Sequence, residues 1–237
     1  EAITRYYRPY FDIARKHGLS FILETPTWRA NPDWLYKLGY EKVDVHTVNL
    51  YAVEFMRDMQ QKYAPASSHI LLGGQMGPRG DGYAPTNIMS VAEAQAYHTP
   101  QLQAFAQANV DLATVLTLNY SNEAIGIVKA AEDVGLPIVV SFTLETDGNL
   151  PSGETLKAAI ERTDQETAGY PAYFMINCAH PEHFKHVLQE DGVWKHRIRA
   201  LRANASTKSH AELDASDTLD AGDKALLARG YQELTEL

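Results

Sequence analysis

The feature that most constrains the fold is a series of short apolar segments, separated by stretches with helical periodicity. Several of these segments, such as Phe21-Ile22-Leu23 and Ile138-Val139-Val140, are continuous in apolar residues. Strands without an apolar/polar alternation are typical of a parallel sheet that is buried on both faces. The pattern predicts six parallel strands, at residues 20–24, 70–74, 111–117, 137–143, 172–178 and 198–203.

The junctions between the segments repeat as well. Gly18 and Gly135 stand just before two of the predicted strands, where a left-handed residue ends a helix, and Asn31-Pro32 has the form of a helix start. Regular helix-to-strand turns with parallel strands leave two architectures, an open doubly wound sheet or a closed barrel. The Gly-rich stretch at residues 73–82 matches neither of the common phosphate-binding loops, so the sequence favours the barrel.

We therefore predict one domain over residues 1–237, an α/β fold of the (β/α)8 TIM-type barrel class. Six strands are predicted where such a barrel has eight. The six correspond to its second to seventh strands, and we expect the first and eighth strands to be missing. The chain begins and ends on predicted helices, which is the pattern expected of a barrel truncated at both ends.

The composition argues against several classes of function. A formal net charge of −9 disfavours a nucleic-acid-binding surface, since phosphate neutralisation needs clustered Lys and Arg. No segment approaches the roughly 20 apolar residues that span a bilayer, and the first residues do not resemble a signal peptide. One cysteine excludes an internal disulfide, which is typical of a reducing compartment. We expect a cytoplasmic protein that handles small molecules and has neither a nucleic-acid nor a membrane partner.

Polar residues mark the ends of the predicted strands, where barrels carry their reactive groups. The lone cysteine, Cys178, follows Asn177 at such an end. Free cysteines are often small buried hydrophobes, but this position favours a reactive thiol or a metal ligand. The other polar strand ends are Glu24-Thr25-Pro26-Thr27, Gly74-Gln75-Met76-Gly77-Pro78, Leu116-Thr117, Ser141-Phe142-Thr143 and Asn204.

These motifs, in this order, resemble those of the homocysteine S-methyltransferase family over nearly the whole chain. Asn177-Cys178 after an apolar strand is similar to the (I/V)NC motif of that family. The resemblance implies zinc-dependent transfer of a methyl group from a sulfonium or ammonium donor to a thiol such as homocysteine. Family members hold zinc with one cysteine from the sixth strand and an adjacent pair from a Gly-Gly-Cys-Cys motif on the eighth. The acceptor thiol takes the fourth position, and bonding to zinc keeps it a thiolate at neutral pH.

Carried over residue by residue, the resemblance makes Cys178 the first zinc ligand. It makes Thr25, Ser141 and Asn177 candidate substrate-binding residues. The sequence departs from the family at two points. It has no Gly-Gly-Cys-Cys motif, so zinc is expected for the full-length protein rather than for this chain alone. Leu116 stands where family members have a glutamate for the substrate ammonium, and a buried ammonium without a carboxylate is costly, so homocysteine is not the only acceptor to consider.

Other patterns allow different interpretations. Glu24 and Glu145, both at predicted strand ends, have the chemistry of a glycosidase acid–base pair, and a barrel glycosidase is the first alternative function. A non-catalytic barrel that has lost its zinc site is the second. His180, His183 and His186 form a His-x-x-His-x-x-His series. On a helix the first and last of these lie about 120° apart, so a solvated helix face is expected rather than a metal site.

Overall fold

The computed structural model of the chain describes residues 1–41, 44–64 and 69–235. Its strands are β1 (Phe21–Glu24), β2 (Ile70–Met76), β3 (Leu112–Leu118), β4 (Ile138–Thr143), β5 (Tyr173–Asn177) and β6 (Ile198–Arg202). Its helices are α1 (Ala2–His17), α2 (Pro32–Lys37), α3 (Asp44–Tyr63), α4 (Val91–Gln107), α5 (Ser121–Asp133), α6 (Leu156–Glu166), α7 (Pro181–Leu188), α8 (His210–Asp214) and α9 (Lys224–Leu234). A short 3-10 helix, Val193–Arg197, precedes β6. All six predicted strands are confirmed, with shifts of a residue or two at their ends.

The strands form one parallel sheet, and their spatial order is the order of the sequence, β1-β2-β3-β4-β5-β6. This order excludes the doubly wound alternative, in which the strand order reverses at a switch point. The sheet also curls, since the side chains of its two outermost strands meet: Arg202 Nη1 on β6 lies 3.4 Å from Glu24 Oε2 on β1. The fold is therefore a curled, six-stranded parallel half-barrel, consistent with part of a TIM-type barrel.

The apolar core lies between the sheet and the helices that cover its outer face. Every residue of β3 and β4 is buried, which accounts for the continuous apolar segment Ile138-Val139-Val140 of β4, whereas in β1 only Leu23 is buried. Four phenylalanines from β4, β5, α4 and α7 are fully buried in this layer: Phe105, Phe142, Phe174 and Phe184. The carboxyl ends of the strands are thus held on a rigid support.

Local signals set the helix ends. Asn31 accepts a hydrogen bond from the Trp34 backbone N–H and begins α2 with Pro32 in the first turn. Gly18 ends α1 with a φ of 63°, a left-handed conformation that glycine adopts without a steric penalty. Across residues 1–41, 44–64 and 69–235, none of the helices has the length and apolar character needed to cross a membrane.

Candidate functional site

A cleft of about 390 Å³ opens at the carboxyl ends of the strands. A larger cleft of about 580 Å³ lies beside Trp34, but it collects none of the strand-end groups, so chemistry rather than size identifies the site. Cys178 lies in the strand-end cleft and is partly exposed, so a ligand can reach its thiol. The residues that line this cleft are Trp28, Gln75, Tyr83, Leu116, Thr117, Asn177, Cys178, Arg202, Ala203 and Asn204.

The buried side chain of Asn177 joins three strand ends. Its Oδ1 accepts hydrogen bonds from the Thr117 backbone N–H at 2.9 Å and from the Ser141 hydroxyl at 2.6 Å. Its Nδ2 donates to Thr117 Oγ1 at 2.9 Å and to Cys178 Sγ at 3.1 Å. A side-chain amide can accept two and donate two hydrogen bonds, so Asn177 is fully satisfied within the protein. Its direct effect in this structure is to fix the ends of β3, β4 and β5 and the position of the thiol.

The backbone at Cys178 is held in an unusual conformation. Its φ is 57°, in the left-handed region that non-glycine residues seldom adopt. The Cys178 N–H donates to the Arg202 carbonyl at 3.1 Å, and Asn204 Nδ2 donates to the Cys178 carbonyl at 3.0 Å. Such strain persists only where the surroundings impose it, and it clusters at functional sites. This observation favours a functional thiol over a small buried hydrophobe.

Tyr83, in the loop between β2 and α4, reaches the thiol from the other side of the cleft. Burial, followed by the neighbouring Cys178, raises the pKa of the Tyr83 hydroxyl above its ordinary value, so the hydroxyl stays protonated at neutral pH. The Tyr83 ring stacks on His210 with 4.1 Å between ring centroids. His210 Nε2 lies 3.3 Å from Thr143 Oγ1 and 3.2 Å from the Leu144 carbonyl oxygen. Sequence reasoning missed both residues, because Tyr83 lies in a loop without a spacing signal and His210 begins the short helix α8, away from a predicted strand end.

Thr25 is buried just outside the cleft. Its Oγ1 accepts a hydrogen bond from the Gln75 backbone N–H at 2.9 Å and lies 2.6 Å from Thr27 Oγ1. The Thr27 hydroxyl also lies 2.6 Å from the Gln75 carbonyl oxygen, to which it donates. These contacts fasten the end of β1 to β2. Of the four predicted site residues, Asn177 and Cys178 line the cleft, whereas Thr25 and Ser141 support it from behind.

One wall of the cleft is formed by Trp28 and Leu116. Trp28 Nε1 lies 3.4 Å from the Leu116 carbonyl oxygen, to which it donates. Its indole packs against Gly77 so closely that a Cβ on this glycine would lie 2.6 Å from Nε1, which explains one glycine of the strand-end motif. The Leu116 side chain is almost completely buried, with an exposure of 6%. It presents an apolar surface where the resemblance to the family predicts a glutamate.

An ion pair lies on the inner face of the half-barrel. Glu24 Oε2 accepts a hydrogen bond from Gln75 Nε2 at 2.9 Å and pairs with Arg202 Nη1 at 3.4 Å. The Arg202 side chain remains 55% exposed, whereas that of Glu24 is 19% exposed. Arg202 was not predicted, because a single arginine in a strand carries no spacing signal. Glu145, the other carboxylate of the glycosidase alternative, lies in the loop after β4, where its backbone N–H donates to the Asn149 carbonyl.

The expectation of a solvated histidine face on α7 is wrong. His180 has an exposure of 0% and His183 of 8%, and of the three only His186 is exposed. His180 Nδ1 accepts the Glu182 backbone N–H at 3.2 Å and caps α7, while His183 Nε2 lies 2.8 Å from the Thr207 carbonyl oxygen. Burial, and next the neighbouring His183, lowers the pKa of His180. The two buried imidazoles therefore have structural roles: His180 caps α7, and His183 connects α7 to the loop after β6.

The described residues do not make a complete zinc site. Across residues 1–41, 44–64 and 69–235, no group of three or more His, Cys, Asp or Glu side chains is placed to hold a metal ion. Zinc sites in proteins use three or four protein ligands, and Cys178 is the one thiol of the chain. Cys178 can therefore supply one ligand but cannot hold zinc by itself.

Comparison with known proteins identifies the family. The model of the family described as homocysteine S-methyltransferase matches residues 1–231 of the 237. The chain belongs to the homocysteine S-methyltransferase family. The resemblance predicted from the strand-end motifs is thereby confirmed, and the protein is by family a methyltransferase.

Solved structures with the same fold include the homocysteine methyltransferase MmuM from Escherichia coli. Its metallated form is 21% identical with a TM-score of 0.66, and the match covers 82% of this chain and 77% of that one. Its oxidised form is 21% identical with a TM-score of 0.66, covering 84% and 80%. Its apo form is 18% identical with a TM-score of 0.57, covering 82% and 93%. At these identities the likeness supports the fold alone. A search of curated proteins finds no significant match.

Proposed function

We propose that the protein transfers a methyl group from a sulfonium or ammonium donor to a small-molecule thiol, homocysteine or a related compound, in the cleft at Cys178. The observation that carries this proposal is the partly exposed thiol of Cys178 at the end of β5, in a chain of the homocysteine S-methyltransferase family. Strands β1 to β6 would then be the second to seventh strands of the family barrel. Cys178 would stand at the position of the family's first zinc ligand.

We extend the proposal to zinc on the basis of family membership, with Cys178 as one ligand. The described part of the chain offers no set of side chains that would complete the coordination shell. The roles proposed for the cleft residues therefore concern the binding and orientation of the two substrates.

The cleft residues would act by positioning the two substrates. The hydrogen bond from Asn177 and the backbone contacts of Cys178 hold the sulfur atom in one position, so the Cys178 side chain does not rotate freely. The aromatic rings of Trp28 and Tyr83 border the same cleft. A sulfonium or ammonium group over an aromatic ring gains about 0.5–2 kcal/mol, which favours binding of the donor at this wall. Holding the donor beside the acceptor would supply much of the rate enhancement of a methyl transfer.

The remaining properties fit a small-molecule enzyme. With a formal net charge of −9, the chain is poorly suited to bind nucleic acid, and its partners would be the thiol acceptor and the methyl donor. A single cysteine suits a reducing compartment, and we place the protein in the cytoplasm as part of the proposal.

Replacement of Cys178 tests the proposal directly. Methyl transfer from S-methylmethionine and from betaine to homocysteine and other thiols would be followed by mass spectrometry, and bound zinc by elemental analysis. In the full-length protein, we expect the Cys178→Ala and Cys178→Ser variants to lose both transfer and zinc, while Asn87→Ala, in an exposed loop, keeps both. Methyl transfer by a folded Cys178→Ala variant at the rate of the unmodified protein would overturn the proposed role of this residue.

A further inference from the structure

We infer that the preferred acceptor is a thiol that carries an anionic group and no ammonium, and that Arg202 is the specificity-determining residue that binds the anion. The inference rests on the proposed function, since it concerns the acceptor of that reaction. The acceptor class is a short aliphatic mercapto-carboxylate, of which γ-mercaptobutyrate, homocysteine without its amino group, is the matched example.

The charges around the cleft carry the first part of the inference. Among the described residues that line it, Arg202 is the one with a formal charge. The nearest carboxylate described, that of Glu24, lines an adjoining cleft that shares Gln75 and Arg202, and it is already paired with Arg202 at 3.4 Å. An ammonium group placed in the cleft at Cys178 would face a guanidinium and lose its hydration without gaining an anionic partner, which is unfavourable. A carboxylate would instead meet a guanidinium, whose planar set of donors matches carboxylate geometry.

The position of Arg202 carries the second part. In the register of β5 and β6, Arg202 is the partner of Asn177, the residue just before the thiol. Its carbonyl accepts the Cys178 N–H at 3.1 Å, so its backbone is fixed relative to the sulfur. Its side chain is 55% exposed and borders the cleft. Because the thiol and the guanidinium border the same cleft, we expect one ligand with a short aliphatic chain to contact both.

Glu24 is the carboxylate nearest to the guanidinium, and its Oε2 is already engaged. Its Oε2 already accepts hydrogen bonds from Gln75 and Arg202, its side chain is 19% exposed, and it is not among the residues that line the cleft. It acts as a positioning residue that holds the guanidinium on the inner face of the sheet. Leu116 completes the arrangement, because its apolar side chain suits the methylene groups of an acceptor rather than a charged amine.

Binding of reaction products to the protein tests the inference without a donor or a metal. The first ligand, γ-(methylthio)butyrate, carries only a carboxylate. Methionine carries a carboxylate and an ammonium group, and γ-(methylthio)propylamine carries only an ammonium group. Trp28 borders the cleft, so its fluorescence provides the signal, with calorimetry as a second readout. We expect γ-(methylthio)butyrate to bind at least tenfold more tightly than methionine, and the amine not to bind measurably. Binding of methionine as tight as that of γ-(methylthio)butyrate would overturn the inference.

Variants assign the preference to particular residues. Arg202→Gln should weaken binding of γ-(methylthio)butyrate at least tenfold, and Arg202→Lys should restore part of the loss. Arg199→Gln is the matched control, since Arg199 is an exposed arginine of the same strand that lines a different cleft, beside Tyr231 and Leu234. Leu116→Glu should shift the preference toward methionine. If Arg202→Gln folds normally and leaves the preference unchanged, Arg202 is not the specificity-determining residue.

Measurements of methyl transfer to different thiols distinguish a failure of this inference from a failure of the proposed function. We expect kcat/KM for γ-mercaptobutyrate to exceed that for homocysteine at least tenfold with a fixed methyl donor. Methyl transfer to both acceptors with a preference for homocysteine would overturn the inference and leave the proposed function intact. A binding preference for the carboxylate without methyl transfer to any thiol would support the inference about the cleft and count against the proposed function.

Discussion

At the scale of single residues, the side chain of Asn177 links the stability of the fold to the geometry of the cleft. Its four hydrogen bonds join the ends of β3, β4 and β5 and hold the sulfur of Cys178. Ser141 and Thr117 are both buried, so neither hydroxyl finds water if the amide is removed. The energetic role of this residue is therefore measurable apart from any role in catalysis.

We predict that Asn177→Ala lowers the free energy of unfolding by about 3 kcal/mol, because it leaves buried polar groups without partners. Urea denaturation followed by circular dichroism measures this change. Asn87→Ala, at an exposed loop position, is the control and should change stability by no more than about 0.5 kcal/mol. Equal stabilities of the two variants would show that the network contributes little to folding.

The buried imidazole of His180 predicts a dependence of stability on pH. Burial lowers its pKa in the folded protein below 6.5, the value expected for an exposed histidine. The unfolded chain thus takes up a proton at a higher pH than the folded protein. Neutral His180 therefore contributes its full stabilisation above pH 6.5, the pKa of the unfolded chain. This stabilisation is lost as the pH falls through the lower pKa of the folded protein.

We predict that the melting temperature decreases between about pH 7 and pH 5 and that His180→Asn makes the decrease shallower, because asparagine retains the N-cap but does not titrate. Differential scanning calorimetry over this pH range provides the measurement. The exposed His186 on the same helix supplies the control, and His186→Asn should leave the slope unchanged. A slope that is unaffected by His180→Asn would mean that other groups cause the decrease.

The residues at strand ends could be predicted from the sequence, and those brought in by folding could not. Cys178, Asn177 and Leu116 stand where a parallel strand must end, so their places at the cleft follow from the strand pattern. Tyr83 arrives on a loop, and Arg202 meets Glu24 only because the sheet curls. Neither the path of that loop nor the curling of the sheet is indicated by a periodicity or a residue spacing in the sequence.

At the scale of secondary-structure elements, the loop that carries Tyr83 is anchored to α5. Glu123 Oε1 accepts the Arg79 backbone N–H at 2.6 Å and lies 2.8 Å from His98 Nε2 on α4. The side chains of Glu123 and His98 have 0% exposure. Further along the loop, the Met89 N–H donates to the Tyr120 hydroxyl at 3.3 Å. The start of α5 thus holds both ends of the segment that carries Tyr83.

We predict that Glu123→Ala destabilises the protein by about 3–5 kcal/mol, since removal of one member of a buried polar pair leaves the other without a partner. Urea denaturation gives the size of the effect, and tyrosine fluorescence reports whether the loop has loosened. Glu132→Ala, on the exposed side of the same helix, should cost no more than about 0.5 kcal/mol. If Glu123→Ala also lowered the free energy of unfolding by no more than about 0.5 kcal/mol, the anchoring role would be contradicted.

The strands themselves were easier to predict than their irregularities. The continuous apolar run Ile138-Val139-Val140 indicated β4 because both faces of this strand are buried. The pairing of β3 with β4 shifts register between Val115 and Leu118, and Thr117 within that shift has a φ of 66°. Threonine disfavours this conformation, so local preference gives no sign of it. The contacts from the Asn177 side chain, 60 residues further along the chain, impose it.

At the scale of the whole molecule, the half-barrel has two open edges in the part that the structure describes, because β1 pairs with β2 alone and β6 with β5 alone. Next to β1, helix α1 presents apolar side chains to solvent. Tyr6 is 56% exposed, Tyr10 49% and Ile13 52%. Unpaired strand edges beside apolar groups are templates for association.

We predict that the 237-residue chain, prepared by itself, associates in a concentration-dependent manner. Sedimentation velocity at several concentrations measures this association. The double variant Tyr6→Lys, Tyr10→Lys should reduce it, whereas Ile88→Lys, at an exposed position in the loop before α4, should not. A monodisperse monomer with one cooperative melting transition would show that the open edges are harmless.

The single, partly exposed thiol has a practical consequence for spectroscopy. In the 237-residue chain, a maleimide dye or a nitroxide spin label would attach at Cys178, its one cysteine. The left-handed backbone and its hydrogen bonds restrict the motion of the attachment point, so the probe's mobility reports on the cleft rather than on the chain. Trp28, which borders the same cleft, is a built-in energy-transfer donor to such a dye. The protein thus carries a ready-made reporter of ligand occupancy, although a labelled sample gives up the thiol that the proposed chemistry needs.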